Sequence, residues 1–391
     1  MVRVSDEVAR HLRAGHPWVY REALGHSAPR RAGEAVVVVD AAGGFVGRGL
    51  YDPSSSIAIR LFVRDSASAI DAALVRDRVA RARALREALL PADLTALRVL
   101  NGEGDGLPGA ACDRYGDFLV LQLLTPAWEP LEAALLDALE DTHHPRGLYV
   151  QRRYVESVAD RPRPGAELAR GQAAPLEATA VEAGLTFVVD PTAPLAPGLA
   201  LELREARALV GARAAGRRVL NVFSYGGGFT LHALRGGAEH VTSIDVTARS
   251  HAAARRSLQA SGLDESRCAF EVADASAVLA RFAARGVRFD LCVLDPPTFA
   301  AGKSLPFASA RDYAEIVRAT AAVLAEGGIL AAASNAQRMP QGEFDRACGE
   351  GGARAGAALR VLERRALPPD FPTLAALPES SHLKFALLAR L

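Results

Sequence analysis

Strand-like and helix-like segments alternate along the chain from Gly184 onward, and this alternation constrains the fold more than any other feature. Five apolar runs are separated by helix-like segments: RRVLNVFSY, HVTSIDV, CAFEVAD, RFDLCVLD and GGILAAASN. Parallel strands need long crossover connections, which are usually helices, so the pattern predicts an α/β, Rossmann-like domain with a mostly parallel sheet. Two later segments, LRVLERRAL and HLKFALLARL, are predicted to pair antiparallel.

The chain of 391 residues is longer than one ordinary hydrophobic core supports, and we predict three domains. A stretch rich in Pro, Gly and Ala at 161–180 separates the α/β domain, 176–391, from what precedes it. Residues 69–175 contain short strands joined by Gly and Asp turns, followed by a helix, and are predicted to form a small α+β middle domain. Residues 1–68 are predicted to form a β-rich domain.

Several classes of protein are disfavoured by the sequence. No apolar run approaches the roughly 20 residues of a membrane helix, and the N-terminus lacks a signal-like apolar core, so we expect a cytoplasmic protein with no membrane partner. The four cysteines include no CxxC pair and no neighbouring histidine, so neither disulfides nor a metal site is predicted. The net charge of +1 does not decide about nucleic acid, because binding follows the local arrangement of charge.

A glycine-rich turn lies between the first strand and the first helix of the α/β pattern, in NVFSYGGGFTLHA. Such a turn lets a ligand approach the backbone and offers the amides of a helix N-terminus. The glycines are Gly226, Gly227 and Gly228. A nicotinamide-binding fingerprint would have a further glycine where Leu231 stands, which weakens a dehydrogenase interpretation.

Acidic residues end the next two strands. Asp245 is placed to accept hydrogen bonds from a ribose diol, and Asp274 is placed where an adenine edge could be held. Each acid could instead cap the helix that follows it. Ligand-compatible groups at the carboxyl ends of successive strands favour binding, because open α/β sheets bind ligands at that edge.

The fourth strand, FDLCVLDPPTF, ends abruptly in one acid, two prolines and an aromatic residue. The prolines are rigid, so they would hold a carboxylate and exposed carbonyl groups in place. An extruded base could donate hydrogen bonds to these acceptors and stack on the aromatic ring. A helix N-cap followed by proline is the alternative. The candidate residues are Asp295, Pro296, Pro297 and Phe299.

These motifs resemble a known family. VLNVFSYGGGF, SIDV, LDPPTF and EGGIL…SN are similar to the seven-stranded class I methyltransferase domain of bacterial 23S ribosomal RNA methyltransferases that carry an N-terminal PUA domain. GHPWVYREAL and GRGLYDPSSSIAIRLF resemble that PUA module, and NGEGDGLPGAACDRYGDFLVLQLL resembles the middle domain. The best-known members methylate C5 of cytosine, and relatives methylate N7 of guanine. The resemblance implies S-adenosylmethionine as cofactor.

The resemblance also implies roles for individual residues. The glycine turn, with Phe223 and Ser224, would line the methionine part of the cofactor, and Asp245 would hold the ribose. Asp274 would lie near the adenine, and 295–299 would face the target base. Ahead of the first strand the family's lysine and Asp-Gln pair are missing, while Arg204 remains as a cofactor-site residue and Glu202 could replace the acid.

The chain departs from the cytosine-C5 members after the fifth strand. Methylation of C5 needs a cysteine thiolate that adds to C6, and the family carries this cysteine in a Ser-Cys-Ser element. Here Asn335 stands in its place, while Cys292 and Cys348 are predicted core residues. We therefore favour a nitrogen target, whose lone pair attacks the methyl group directly, with Arg338 as the nearby basic residue.

Ribosomal RNA (23S) is the expected partner, and a homodimer is an assembly we consider. Candidate RNA-binding residues are Arg48, Arg60, Lys303 and Arg338. Two alternatives stay open: a non-catalytic RNA-binding or ribosome-assembly protein whose methyltransferase site has drifted, and a methyltransferase acting on a protein or small molecule.

Overall fold

A computed structural model describes residues 1–25, 30–154, 165–193, 197–297, 307 and 309–391. They fall into two compact units. The first contains residues 1–180, 190–197 and 369–381, and the second contains 181–189, 198–368 and 382–391. The predicted domain limits at 68 and 175 stay a prediction.

The first unit holds two five-stranded sheets. One sheet has the strand order β1-β3-β4-β5-β2 and is accompanied by helix α1. Its elements are β1 (Val2–Arg3), α1 (Asp6–Arg13), β2 (Trp18–Tyr20), β3 (Ala35–Val39), β4 (Phe45–Tyr51) and β5 (Ile57–Val63). Apolar residues from these strands and from α1 pack together as one core cluster.

The other sheet of this unit has the order β10-β9-β8-β7-β6. Two helices, α2 and α3, pack on each other and contribute to its core. The elements are α2 (Ala72–Leu89), β6 (Ala96–Asn101), β7 (Ala110–Tyr115), β8 (Phe118–Leu123), α3 (Glu132–His143), β9 (Gly147–Arg152) and β10 (Glu167–Gly171). A hairpin of β11 (Ala178–Glu182) and β12 (Leu185–Val189) follows.

The second unit contains a seven-stranded sheet with helices between its strands. Its helices are α4 (Arg204–Ala212), α5 (Gly228–Arg235), α6 (Ala248–Ala260), α7 (Ala275–Ala284), α8 (Ala310–Ala321) and α9 (Gln341–Arg354). Its strands are β13 (Arg218–Val222), β14 (His240–Asp245), β15 (Cys268–Val272), β16 (Phe289–Leu294), β17 (Leu324–Ser334), β18 (Leu359–Arg365) and β19 (Lys384–Arg390). The predicted α/β fold is confirmed.

The strand order of this sheet is β15-β14-β13-β16-β17-β19-β18. Strands β13 to β17 are parallel to one another, and β19 runs antiparallel to β17 and β18. The predicted antiparallel pair of the last two strands is confirmed. The order reverses between β13 and β16. Ligands of open α/β sheets bind outside the carboxyl ends of the strands at such a reversal, so this edge is where a site is expected.

The described residues contain neither a membrane-spanning helix nor a metal-binding cluster. Among the described ranges, no helix is long and apolar enough to span a bilayer. The same ranges contain no group of histidine, cysteine or acidic residues arranged to hold a metal ion.

Candidate active site

The ends of the central strands bring the predicted site residues to one edge. Val222 pairs with both Ile244 and Leu294, so Phe223, Asp245 and Asp295 each follow at the same level. Leu294 also pairs with Ala332, which places Asn335 just beyond the tip of β17. The parallel register therefore gathers side chains that are more than a hundred residues apart in sequence.

The turn after β13 has an unusual backbone. Phe223 and Tyr225 have φ angles of 61° and 45°, and Gly227 has 80°. Residues other than glycine rarely adopt positive φ, and such conformations cluster at functional sites. A Cβ atom on Gly226 would lie 2.0 Å from the carbonyl oxygen of Gly198, so only glycine fits there. The turn thus exposes a tightly held backbone at the start of α5.

Asp245 is fixed by the same turn. Its Oδ2 accepts a hydrogen bond from the Tyr225 N–H at 2.9 Å. Its Oδ1 accepts from the backbone N–H and the hydroxyl of Thr247 at 3.0 and 2.9 Å. A carboxylate has about four lone-pair sites, so Oδ2 can still accept a bond from a hydroxyl group.

Asp274 caps the helix that follows it, which was the alternative to its predicted contact with adenine. Its Oδ1 accepts a hydrogen bond from the Ala277 N–H at 3.0 Å, and it is the N-cap of α7. The side chain is also exposed. A contact with adenine stays a prediction for this residue.

Asp295, Glu202 and Asn335 form a polar cluster at the tip of β16. Burial and the nearby Glu202 raise the pKa of Asp295 to about 7, against the opposing charge of Arg207. The Nδ2 of Asn335 donates to Glu202 Oε1 at 3.2 Å. Within the described residues the buried Oδ1 of Asn335 has no hydrogen-bond partner. A buried acceptor without a partner is costly, so this cluster is arranged to receive a donor.

The rest of the predicted tip is described only in part. Pro296 is buried and Pro297 is exposed. Phe299 and Lys303 lie outside the described residues, so their predicted roles stay predictions.

A buried charged cluster lies beneath the glycine turn. Glu182 is fully buried and accepts two hydrogen bonds of 2.7 Å from Arg207. His232 Nε2 and Arg204 Nε lie 3.1 and 3.5 Å from its oxygens. A Cβ atom on Gly228 would lie 2.9 Å from the Arg207 side chain, so the cluster directly supports the turn. Arg204, predicted as a cofactor contact, is 9% exposed and its guanidinium faces Glu182.

The positive charges around Glu182 favour its ionised form. Burial alone would raise the pKa of Glu182, but Arg207 and His232 outweigh it and lower the pKa to about 2. Sequence reasoning missed Glu182, because a glutamate in a strand-like run carries no signal of a partner 25 residues away.

Lys384, on β19, holds the segment after β17. Its Nζ donates to the carbonyl oxygens of Ala336 and His382 at 2.5 and 2.6 Å. Burial lowers the pKa of this ammonium to about 8. The contact fixes the backbone immediately after Asn335.

The predicted RNA-binding arginines differ in their surroundings. Arg60 is only 6% exposed and pairs with Asp52 at 3.4 Å, so its guanidinium is engaged within the protein and its predicted phosphate contact stays a prediction. Arg48 is half-buried and donates to the carbonyl oxygens of Ser66 and Ser68. Arg338 is exposed on the turn between β17 and α9.

Comparison with known proteins agrees with this geometry. Residues 110–388 match a family model described as S-adenosylmethionine-dependent methyltransferase. The chain belongs to this methyltransferase family. Residues 2–64 of the methyltransferase match a PUA-like domain. The predicted resemblance, enzyme class and cofactor are confirmed.

Several relatives of this methyltransferase are similar along nearly the whole chain. Ribosomal RNA large subunit methyltransferase I of Klebsiella pneumoniae is 34% identical over 375 residues, covering 94% of this chain and 93% of the relative. The protein of the same name from Escherichia coli K12 is also 34% identical, with 94% of each chain covered.

Solved structures show the same fold. A SAM-dependent methyltransferase from Streptococcus mutans has a TM-score of 0.88 with 22% identity, covering all of both chains. The structure of a methyltransferase in complex with SAH (S-adenosylhomocysteine) has a TM-score of 0.90 and 23% identity, covering 99% of both chains.

The residues present fit S-adenosylmethionine. The glycine turn has no side chain that would block a ligand at Gly226, and the N-terminus of α5 begins there. Asp245 retains acceptor capacity for a ribose hydroxyl, as its hydrogen bonds show. The methyltransferase therefore has both the backbone approach and the acid that a nucleoside cofactor requires.

Proposed function

We propose that this methyltransferase transfers a methyl group to a nitrogen of a base in 23S ribosomal RNA, with N7 of guanine the favoured target. The large-subunit rRNA specificity is supported by the names of relatives that share 34% identity over nearly the whole chain. The PUA-like match at 2–64 also supports an RNA substrate. Such a substrate would place the protein in the cytoplasm.

We assign the cofactor contacts to the turn and to the strand ends. Phe223, Ser224 and the glycines 226–228 would line the methionine part, and Asp245 would accept from the ribose through Oδ2. Asp274 would approach the adenine through the oxygen that does not cap α7. Arg204 is reassigned from contacting the cofactor to supporting the turn, since its guanidinium faces Glu182.

The nitrogen target is supported mainly by the burial of the cysteine thiols. The sequence contains four, and all of them lie in the described ranges. Cys112, Cys292 and Cys348 are fully buried, and burial raises the pKa of each thiol well above its usual value. A thiolate is what attacks C6 of a pyrimidine, so none of these three is suited to it.

Cys268 is half-buried but lies at the wrong edge of the sheet. It is the first residue of β15, whereas the site lies at the carboxyl ends of the strands. Burial raises the pKa of its thiol to about 12. A carbon target that needs covalent assistance is therefore disfavoured.

A guanine N7 target needs only what this site contains. S-adenosylmethionine supplies an electrophilic methyl group on a positively charged sulfur. N7 carries no hydrogen and has a lone pair, so the chain need not provide a base to remove a proton there. The guanine becomes positively charged as it is methylated, and the carboxylates of Asp295 and Glu202 would stabilise that charge. Asp295 can also accept hydrogen bonds from the N1–H and N2–H groups on the opposite edge of the ring.

Basic side chains that are exposed to solvent are the candidates for contacts with RNA. Arg338 is exposed and lies three residues after Asn335, whose side chain bonds to Glu202, so it can reach a phosphate next to an extruded base. Arg48 stays a candidate for an RNA contact made by its guanidinium group. Phe299 and Lys303 stay candidates for stacking and for a phosphate contact. A homodimer stays a prediction that sedimentation can check.

The test is transfer of a labelled methyl group from S-adenosylmethionine to unmodified 23S rRNA and to large-subunit assembly particles, followed by digestion and mass identification of the labelled nucleoside. We expect 7-methylguanosine, with transfer unaffected by alkylation of accessible thiols. Labelled 5-methylcytidine would refute the nitrogen target. The absence of label in any nucleoside, together with RNA binding and no binding of S-adenosylmethionine, would instead support a non-catalytic RNA-binding protein.

The Asp245→Ala and Asp295→Asn variants distinguish the proposed role in cofactor binding from the proposed role in methyl transfer. Asp245→Ala should weaken binding of S-adenosylhomocysteine, the demethylated cofactor. Asp295→Asn should leave that binding unchanged and lower methyl transfer by roughly a hundredfold, because it removes a charge from the transition state.

A further inference from the structure

Ser224 lies in the strained turn after β13, and hydrogen bonds fix its backbone on both sides. Its N–H donates to the Ile244 carbonyl oxygen at 2.9 Å, and its own carbonyl oxygen accepts from the Gly227 N–H at 2.9 Å. The residues before and after it, Phe223 and Tyr225, both have positive φ. The backbone of Ser224 is thus fixed, and only the direction of its hydroxyl group still has to be explained.

His251, on α6, contacts that hydroxyl. The Nε2 atom lies 3.3 Å from Ser224 Oγ, and the two residues are 1% and 5% exposed. The imidazole also packs on the Phe270 ring, with 5.0 Å between ring centroids. Burial lowers the pKa of His251, although Asp245 opposes the shift, so the ring is neutral near pH 7.

The surroundings of the second ring nitrogen indicate which nitrogen carries the hydrogen. Among the residues that the structure describes, Nδ1 of His251 is buried without a hydrogen-bond partner. A neutral imidazole carries one N–H, and an orphaned buried N–H is rarer in proteins than an orphaned acceptor. The hydrogen is therefore assigned to Nε2, which donates to Ser224 Oγ. The serine hydroxyl then retains its own hydrogen to donate elsewhere.

We propose that His251 is a positioning residue that directs the Ser224 O–H toward the methionine carboxylate of the cofactor. The inference rests on the proposed assignment of Ser224 to the methionine part. A carboxylate only accepts hydrogen bonds, so it requires a donor, and hydrogen bonds to charged groups are stronger than neutral ones. Donation from Nε2 prevents the hydroxyl from using its hydrogen on the histidine.

The test compares two ligands by calorimetry. S-adenosylhomocysteine contains the amino acid part, and 5′-methylthioadenosine keeps the adenosine and lacks it. We expect Ser224→Ala and His251→Leu each to raise the Kd for S-adenosylhomocysteine roughly tenfold, because each loses one charge-assisted bond. The double variant should bind no more weakly than the weaker single variant, because both changes break one chain of contacts. The Kd for 5′-methylthioadenosine should not change.

A conservative variant guards against a purely structural effect. In His251→Gln the side-chain amide nitrogen can take the place of Nε2, and we expect it to restore most of the affinity for S-adenosylhomocysteine. Equal weakening of both ligands in His251→Leu, or additive losses in the double variant, would overturn the proposal. Neither measurement involves RNA, so its failure is distinguishable from failure of the proposed target base.

Discussion

Asp295 and Glu202 are two acids of one cluster, and their repulsion gives the reaction a pH dependence. Asp295 has a pKa of about 7, raised by burial and by Glu202. If its ionised form stabilises the positively charged guanine, kcat/KM should rise as pH increases through about 7 and then level off. In Glu202→Gln the like charge is absent, so the rise should move to lower pH. Rates measured from pH 5.5 to 9 check both.

Two variants control this pH profile. Asp295→Asn should be slow, and its rate should be independent of pH over the same range. Glu326→Gln alters an exposed residue in the first half of β17, away from the carboxyl edge, and should reproduce the wild-type profile. An unshifted rise in Glu202→Gln would contradict the coupling of the two acids.

Glu182 is expected to be important for stability. Replacing it by Gln leaves the buried guanidinium of Arg207 without its counter-charge, which costs about 3–5 kcal/mol in comparable buried pairs. Its pKa of about 2 is below the unfolded value near 4.3, so its contribution of about 3 kcal/mol is present above pH 5 and is lost as pH falls toward 2. Chemical unfolding followed by circular dichroism at pH 7 and pH 3 measures both effects.

The matched control is Glu315→Gln. Glu315 also contacts two arginines, Arg318 and Arg354, but its side chain is 44% exposed, and solvent-exposed ion pairs contribute little. We expect little change in stability for this variant. Equal destabilisation by the two substitutions would mean that burial of Glu182 is not the cause.

At the scale of elements, the turn between β13 and α5 depends on a glycine at 226. Gly226→Ala would place a Cβ atom 2.0 Å from the Gly198 carbonyl oxygen, so the turn must shift. We expect binding of S-adenosylhomocysteine to fall at least tenfold, because the backbone that approaches the ligand has moved. Calorimetry gives the affinity.

A second glycine provides the comparison for this turn. Gly349 lies in α9, and an added Cβ would meet nothing within 4 Å. Gly349→Ala should leave cofactor affinity unchanged and stabilise the helix by about 0.5–1 kcal/mol. Unchanged affinity in Gly226→Ala would show that the turn tolerates a side chain.

At the scale of the whole molecule, the two compact units should respond differently to the cofactor product. The two tryptophans, Trp18 and Trp128, both belong to the first unit, so their fluorescence reports on it. S-adenosylhomocysteine at a hundred times its Kd should stabilise the second unit by about 2.7 kcal/mol. We expect the unfolding transition seen by circular dichroism to shift, and the tryptophan transition to stay in place.

Hydrogen exchange identifies the residues behind that difference. Protection by the ligand should appear in 198–368 and be absent from 1–154. Equal protection of both units would contradict the prediction and indicate that they unfold as one cooperative body.

The sequence by itself determined the α/β fold, the strand ends and the family. Hydrophobic alternation and glycine turns are local patterns, so the tips at Asp245 and Asp295 could be located from neighbouring residues alone. Only the tertiary structure decided which polar side chains are engaged within the protein and which are available to bind a ligand. Arg60 is buried against Asp52, Glu182 lies between two arginines, and His251 faces Ser224. These contacts depend on burial and on residues distant in sequence that meet only when strands and helices pack, and no local pattern encodes that.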